Sequence, residues 1–230
     1  MTPVVAADPA PTGIVTALYL RTKSLHLEAE RSGIIRHLLR GEASREGYVL
    51  FLRNLLPAYR AMELGLERHR RSPALGALAD YRLDRASALE SDLVELYGQR
   101  WQQDLPLLVA GKAYAGRVAE AADGDGTRLI AHAYTRYLGD LSGGQILRRL
   151  LTQSLALRSA QLSFYDFPNC PDLDALKATY RNALNSAGTH AADAEAIVEE
   201  GAFAFSLNIA LSCAVEAMVA RGSTGAKAVP

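Results

Sequence analysis

The chain has 230 residues, 49% of them hydrophobic, which suffices for one substantial core, and no Ser/Gly/Pro-rich linker divides it. Lys+Arg and Asp+Glu balance at 25 each, and a zero formal charge argues against a nucleic-acid binder that works through a general basic field. Two cysteines, Cys170 and Cys213, fit no metal spacing and are too few for a disulfide framework, so they read as free thiols, packed as small hydrophobes, in a reducing compartment.

The hydrophobic periodicity is helical nearly throughout, and Leu, Ala, Arg and Glu dominate. Residues 1–13 lack the basic start and long apolar stretch of a signal peptide and read as a loose arm. A helix is predicted over 14–31 with Gly33 as its stop, then a short one over 34–40 that stops at Gly41. Ser44 suits the N-cap of a long helix to about Arg70, with Pro73 beyond its end. Helices over 84–97 and 110–122 precede the clear break DGDG at 123–126. A long helix runs from Thr127 to about Arg158, interrupted near Gly139–Gly144. The Pro168/Pro171 stretch is a loop, and the last helices cover 173–186 and 191–219. Ala202–Ala220 is nearly long enough to span a membrane, but Ser206, Asn208, Ser212 and Glu216 suit a buried helix with one polar edge. The expectation is an all-α single domain over 14–220, with a flexible tail over 221–230, in a soluble cytoplasmic protein with no membrane or nucleic-acid partner.

Two segments carry chemistry. In TRYLGDLSGGQILRR, residues 135–149, three glycines fall within six positions of a helix, where each costs about 1 kcal/mol relative to alanine. Gly139 and Gly143 share one face, and a face without side chains lets the backbone approach something flat or bulky. Tight helix–helix packing across small residues accounts for that spacing equally well. Asp140 sits beside the glycines, with Arg136, Tyr59 and Tyr137 as candidates to reach it. In LRTKSLHLEAE, His26 precedes Glu30 by one helical turn, a spacing that lets a carboxylate orient a metal-ligating imidazole directly or through a water. Most such pairs are surface contacts. His37, His69 and His190 read as surface residues, and His132 as core or surface. No HExxH pattern is present.

YTRYLGDLSGGQILRRL resembles the distal-helix signature of haem oxygenases, and LRTKSLHLEAE resembles that family's proximal-helix signature. LESDLVELYG with Arg100–Trp101, YRNALNS at 180–186 and FSLNIAL at 205–211 are similar to further family segments, in the family's order. The resemblance spans about 15–215. It implies a helical domain with haem between a proximal helix and a kinked distal helix. His26 would be the iron ligand and Glu30 would orient its ring. Gly139 and Gly143 would lie over the distal haem face. Asp140 would hold the water network that delivers protons, with Tyr59 and Arg136 in the same network. Lys23, Lys177 and Arg181 would meet the haem propionates near Tyr134, and Phe205 and Asn208 would line the pocket.

The implied reaction cleaves haem with O2 and reducing equivalents to biliverdin, expected to be the IXα isomer, carbon monoxide and ferrous iron, haem being both substrate and cofactor. The electron donor would be a ferredoxin or a flavin reductase. Arg148, Arg149 and Arg158 form either part of a surface for an acidic partner or a solvated helix face. One departure from the family pattern is Tyr19, with Arg21 nearby, where a second lysine often stands before the proximal histidine. Two other readings are a non-catalytic haem carrier or sensor on the same fold, which would need no Asp140, and a thiamin-related hydrolase. The hydrolase would need a catalytic cysteine that Cys170 and Cys213 are poorly placed to supply.

Overall fold

The computed structural model describes residues 13–168 and 170–225, with side chains to 222. The expected arm at 1–12 and the end of the expected tail, 226–230, lie outside the described residues. Those described form helices and connecting turns, with no strand.

The long helix α3 (Arg45–Arg68) is the centre of the core. Tyr48, Leu52, Leu55, Leu56, Tyr59 and Met62 on it are all essentially inaccessible to solvent. Ser44 caps it as expected, its hydroxyl accepting from the Gly47 N–H at 3.1 Å. Against α3 pack α5 (Ala86–Tyr97) and α7 (Val109–Ala121). The short helices α4 (Gly76–Asp80) and α6 (Trp101–Asp104), which periodicity does not reveal, close the turns between them.

A second layer is formed by α1 (Ile14–Glu30), α2 (Gly33–Arg40), α10 (Leu173–Thr189) and α11 (Ala194–Gly225). Helix α11 extends into the expected tail. It is long and apolar enough to cross a membrane, and a third of its most apolar window is buried inside the fold. It lies along α1 and also touches α2, α3, α7 and the short helix α8 (Leu129–Ala133). Cys213 on this helix is exposed and Cys170 half-buried, so Cys213 is not the packed hydrophobe the sequence suggests.

Gly33 is the first residue of α2 and not simply a stop. Its φ of +52° turns the chain, and a Cβ there would lie 2.2 Å from the Ser212 carbonyl carbon on α11. That close approach lets the Ser212 hydroxyl donate to Ser32 O at 2.9 Å and accept from the Ile35 N–H at 3.1 Å. It fixes α1 and α2 on α11.

The helix expected over 127–158 differs in detail. It consists of α8 (Leu129–Ala133), a π-helical turn (Tyr134–Leu138) and α9 (Gly139–Ser154). The irregularity therefore precedes the glycines, which are themselves α-helical. A π turn accommodates an extra residue and rotates the register of all that follows. Helix α9 ends at Ser154, four residues early, because Ala156 takes a left-handed φ of +51°.

Gly33→Ala combines left-handed strain with a backbone clash, so it is expected to lower stability by at least about 2 kcal/mol. Urea unfolding measures this.

Candidate active site

A cleft of about 880 Å³ opens between α1 and the stretch formed by the π turn and the start of α9. Helix α1 contributes Tyr19, Lys23, His26 and Glu30, and the opposite wall contributes Tyr134, Arg136, Gly139 and Ser142. Arg181 from α10 and Phe205 and Asn208 from α11 complete it.

His26 is exposed to the cleft, with its ring 5.7 Å from that of Phe205. Its Nδ1 lies 3.6 Å from Glu30 Oε1, too far for a direct hydrogen bond and suited to a bridging water. Glu30 thus lies within water-bridging distance of one ring nitrogen, an arrangement common for a metal-ligating imidazole.

Among the side chains of the facing wall, the two glycines leave bare backbone. A Cβ built at Gly139 or at Gly143 would meet nothing within 4 Å. Helix–helix packing therefore does not explain these two glycines. It does explain Gly144, where a Cβ would lie 3.2 Å from the Tyr165 ring. The space in front of Gly139 and Gly143, opposite an imidazole, fits a flat group such as a haem.

Behind this wall lies a buried polar chain. Asp140 is 7% exposed. The Tyr59 hydroxyl donates to its Oδ2 at 2.5 Å, and Arg136 Nη2 lies 3.5 Å from its Oδ1. Arg136 Nε donates to the Tyr59 oxygen at 2.9 Å, and Arg136 Nη1 to Asn208 Oδ1 at 2.7 Å. Asn208 Nδ2 in turn donates to the Tyr114 hydroxyl at 3.3 Å. Burial raises the Asp140 carboxyl above the usual aspartate range, with Arg136 and the Tyr59 hydroxyl pulling it back. Burial likewise lifts the Tyr59 phenol well above its ordinary value. Burial works against the Arg136 guanidinium, but the surrounding oxygens outweigh it and its pKa rises. The result is a fixed cation beside a buried carboxyl of raised pKa within one chain of donors.

The family model for Heme oxygenase matches residues 12–214. The chain belongs to the haem oxygenase family. It is 38% identical over 207 residues to Heme oxygenase 1 of Homo sapiens, covering 89% of this chain and 72% of that one. Heme oxygenase 1 of Synechocystis is 38% identical over 188 residues, 82% of this chain and 78% of the relative. The crystal structure of Synechocystis heme oxygenase-1 in complex with heme superposes with a TM-score of 0.85, at 35% identity, covering 93% of this chain and 96% of that one. A heme oxygenase structure from Leptospira interrogans gives 0.81 at 32% identity, over 88% and 100% of the two chains.

This haem oxygenase brings together most of the residues singled out by sequence. His26, Glu30, Lys23, Tyr134, Arg136, Gly139, Arg181, Phe205 and Asn208 line the cleft. Tyr59 and Asp140 stand behind its wall, and Gly143 lies one turn beyond Gly139 with the space before it open. Lys177, one turn before Arg181 on α10, is half-buried and is not part of the cleft lining. Tyr137 packs its ring 6.2 Å from that of Tyr59, but its hydroxyl makes no hydrogen bond among the described residues. Tyr114 was not anticipated; its one signal is a lone large aromatic among the small residues of α7. His132 is fully buried against Glu200, 3.0 Å away, and is not part of the cleft lining.

Because nothing packs on Gly139 or Gly143, Gly139→Ala and Gly143→Ala should each stabilise the ligand-free protein, by up to about 1 kcal/mol through helix propensity. A loss of stability on thermal unfolding would mean that protein atoms close over that wall.

Proposed function

We propose that this chain binds haem in the α1/α9 cleft and cleaves it with O2 and reducing equivalents to biliverdin, carbon monoxide and ferrous iron. The observation that carries this reading is the bare backbone at Gly139 in the cleft lining, with unfilled space before Gly143 one turn on, His26 on the opposite helix and the buried Asp140 behind. Haem, when bound, supplies the iron and the oxygen chemistry and is also the molecule consumed. His26 would hold the iron, and Glu30 would fix the imidazole through a water. Lys23 and Arg181, which line the cleft with Tyr134, would provide cations for the propionates, with Lys177 a turn before Arg181 on α10. The glycine backbone would leave room beside a bound haem that a side chain would fill.

Asp140 would orient the distal water network that delivers protons. Its carboxyl is buried and its pKa raised, and Tyr59 and Arg136 fix its orientation, so a water beside it would be held in a defined direction. A carrier or sensor would have no use for this buried chain. The expected isomer is biliverdin IXα. The electron donor is expected to be a ferredoxin or a flavin reductase, and the setting a soluble cytoplasmic one. Arg148 and Arg158 pair with the chain's own Asp166 and Glu95, at 2.5 and 3.5 Å, which leaves Arg149 as the more available cation of the three expected to meet a partner.

Two variants test the reading. His26→Ala should lose the Soret spectrum of imidazole-ligated haem. Asp140→Asn should bind hemin as the parent does and lose bilin formation by on the order of 100-fold. Undiminished bilin yield from Asp140→Asn would remove its proton-delivery role, and an unchanged ligand spectrum in His26→Ala would remove the ligand assignment.

A further inference from the structure

A second buried carboxylate lies outside the cleft. Asp92, in the middle of α5, is fully inaccessible to solvent. The Ser163 N–H donates to its Oδ1 at 2.7 Å and the Phe164 N–H to its Oδ2 at 2.9 Å. Both oxygens are thus spent on adjacent amides of one 3-10 turn, Ser163–Tyr165. Burial pushes the Asp92 carboxyl up to about 6, with those amides holding it back and Asp166 raising it further. An apolar side chain would avoid that cost, so the carboxylate needs a reason in what it holds.

The turn reaches the distal side at two places. The Phe164 ring meets Tyr59 edge-on, with centroids 5.5 Å apart and planes at 84°. Tyr59 is the donor to Asp140. The Tyr165 ring rests on Gly144, and Gln145 Nε2 donates to Tyr165 O at 2.8 Å. Just beyond the turn, Arg148 pairs with Asp166 and the Arg85 guanidinium donates to Asp166 O and lies over the Phe167 ring. One short strap therefore touches both the phenol that orients Asp140 and the helix whose glycines face the cleft.

We infer that Asp92 is a positioning residue: by clamping the Ser163–Tyr165 turn it fixes Tyr59, and through it Asp140, against the wall of α9. Only a carboxylate offers two oxygens to two adjacent amides. Asparagine supplies one acceptor, and the amide left buried without a partner costs about 1–3 kcal/mol, enough to loosen a three-residue turn. This inference rests on the reading of Asp140 as the residue that orients the distal water network.

The test compares Asp92→Asn with Phe164→Leu, which keeps both hydrogen bonds and removes the ring against Tyr59. The first readout is the Asp140 carboxyl, followed by carbon NMR against pH in the ligand-free protein. A loosened turn admits water, so the raised Asp140 midpoint should fall toward the ordinary aspartate range in both variants. The second is haem cleavage, which should slow on the order of tenfold while hemin affinity stays within about twofold, since a small misplacement penalises the reacting geometry and not the binding. A midpoint unchanged in both variants, or turnover unchanged in both, overturns the inference. If Asp92→Asn fails to fold by circular dichroism, Asp92→Glu, which keeps a carboxylate but displaces it by one methylene, takes its place beside Phe164→Leu under the same two criteria. Full activity in Asp140→Asn would instead defeat the reading of Asp140, and the ligand-free titration would still report whether the turn holds Tyr59.

Discussion

The architecture around the cleft follows from keeping one carboxyl, Asp140, almost out of water next to an open cavity. An isolated buried carboxylate is unstable, so its surroundings must either neutralise it or hydrogen-bond it. This chain does both partially. Burial raises the pKa, Tyr59 donates a short hydrogen bond, and Arg136 stands 3.5 Å away. Arg136 is in turn anchored by Asn208, and Asn208 by Tyr114, so the chain of donors ties the π turn to α3, α11 and α7. Loss of any middle member would leave a buried polar group without its partner. The π turn belongs to this constraint. It supplies Arg136 immediately before the first glycine, rotating the register so that Gly139 faces the cleft while Asp140 turns into the core.

The two walls of the cleft are built on different principles. The wall from α1 is exposed and rich in long side chains: Tyr19, Lys23, His26 and Glu30. Their positions are set by helix periodicity on a helix that packs along α11. The wall from α9 is backed by the core and presents backbone. Its position is over-determined by Gly144 on Tyr165, by Gln145 on Tyr165 O and by the Asp140 chain behind it. A wall held from behind, with bare backbone at its glycines and fixed donors in the core, is a preorganised surface.

Much of this was legible in the sequence, and the failures have physical causes. Helix type and approximate length follow from local periodicity, so α1, α3, α5, α7 and α10 lie close to where 3.6-residue patterning and caps such as Ser44 put them. The interruption was expected at the glycines because glycine is unfavourable in helices; yet the glycines are helical and the irregularity falls at Tyr134–Leu138, among residues with no local preference for it. Only tertiary demands on Arg136 and Asp140 select it. The spacing of Gly139 and Gly143 fitted packing and ligand approach alike; the open space before both separates the two. Tyr114 meets Asn208 across 94 residues of sequence, and Asp92 meets Ser163 across 71, distances at which one sequence gives no signal. Glu200, buried against His132 and Arg117, is likewise a charge in an apolar helix whose partners only the fold reveals.

The account stands most directly on whether this chain consumes the haem it binds. The decisive measurement is the visible spectrum of the protein mixed with one equivalent of hemin, followed in air after addition of a reductant. The account predicts a Soret band that forms on mixing and then decays into the broad red absorption of a bilin. A Soret band that persists under reductant and oxygen would contradict it, leaving a haem-binding fold whose distal proton chain serves no cleavage.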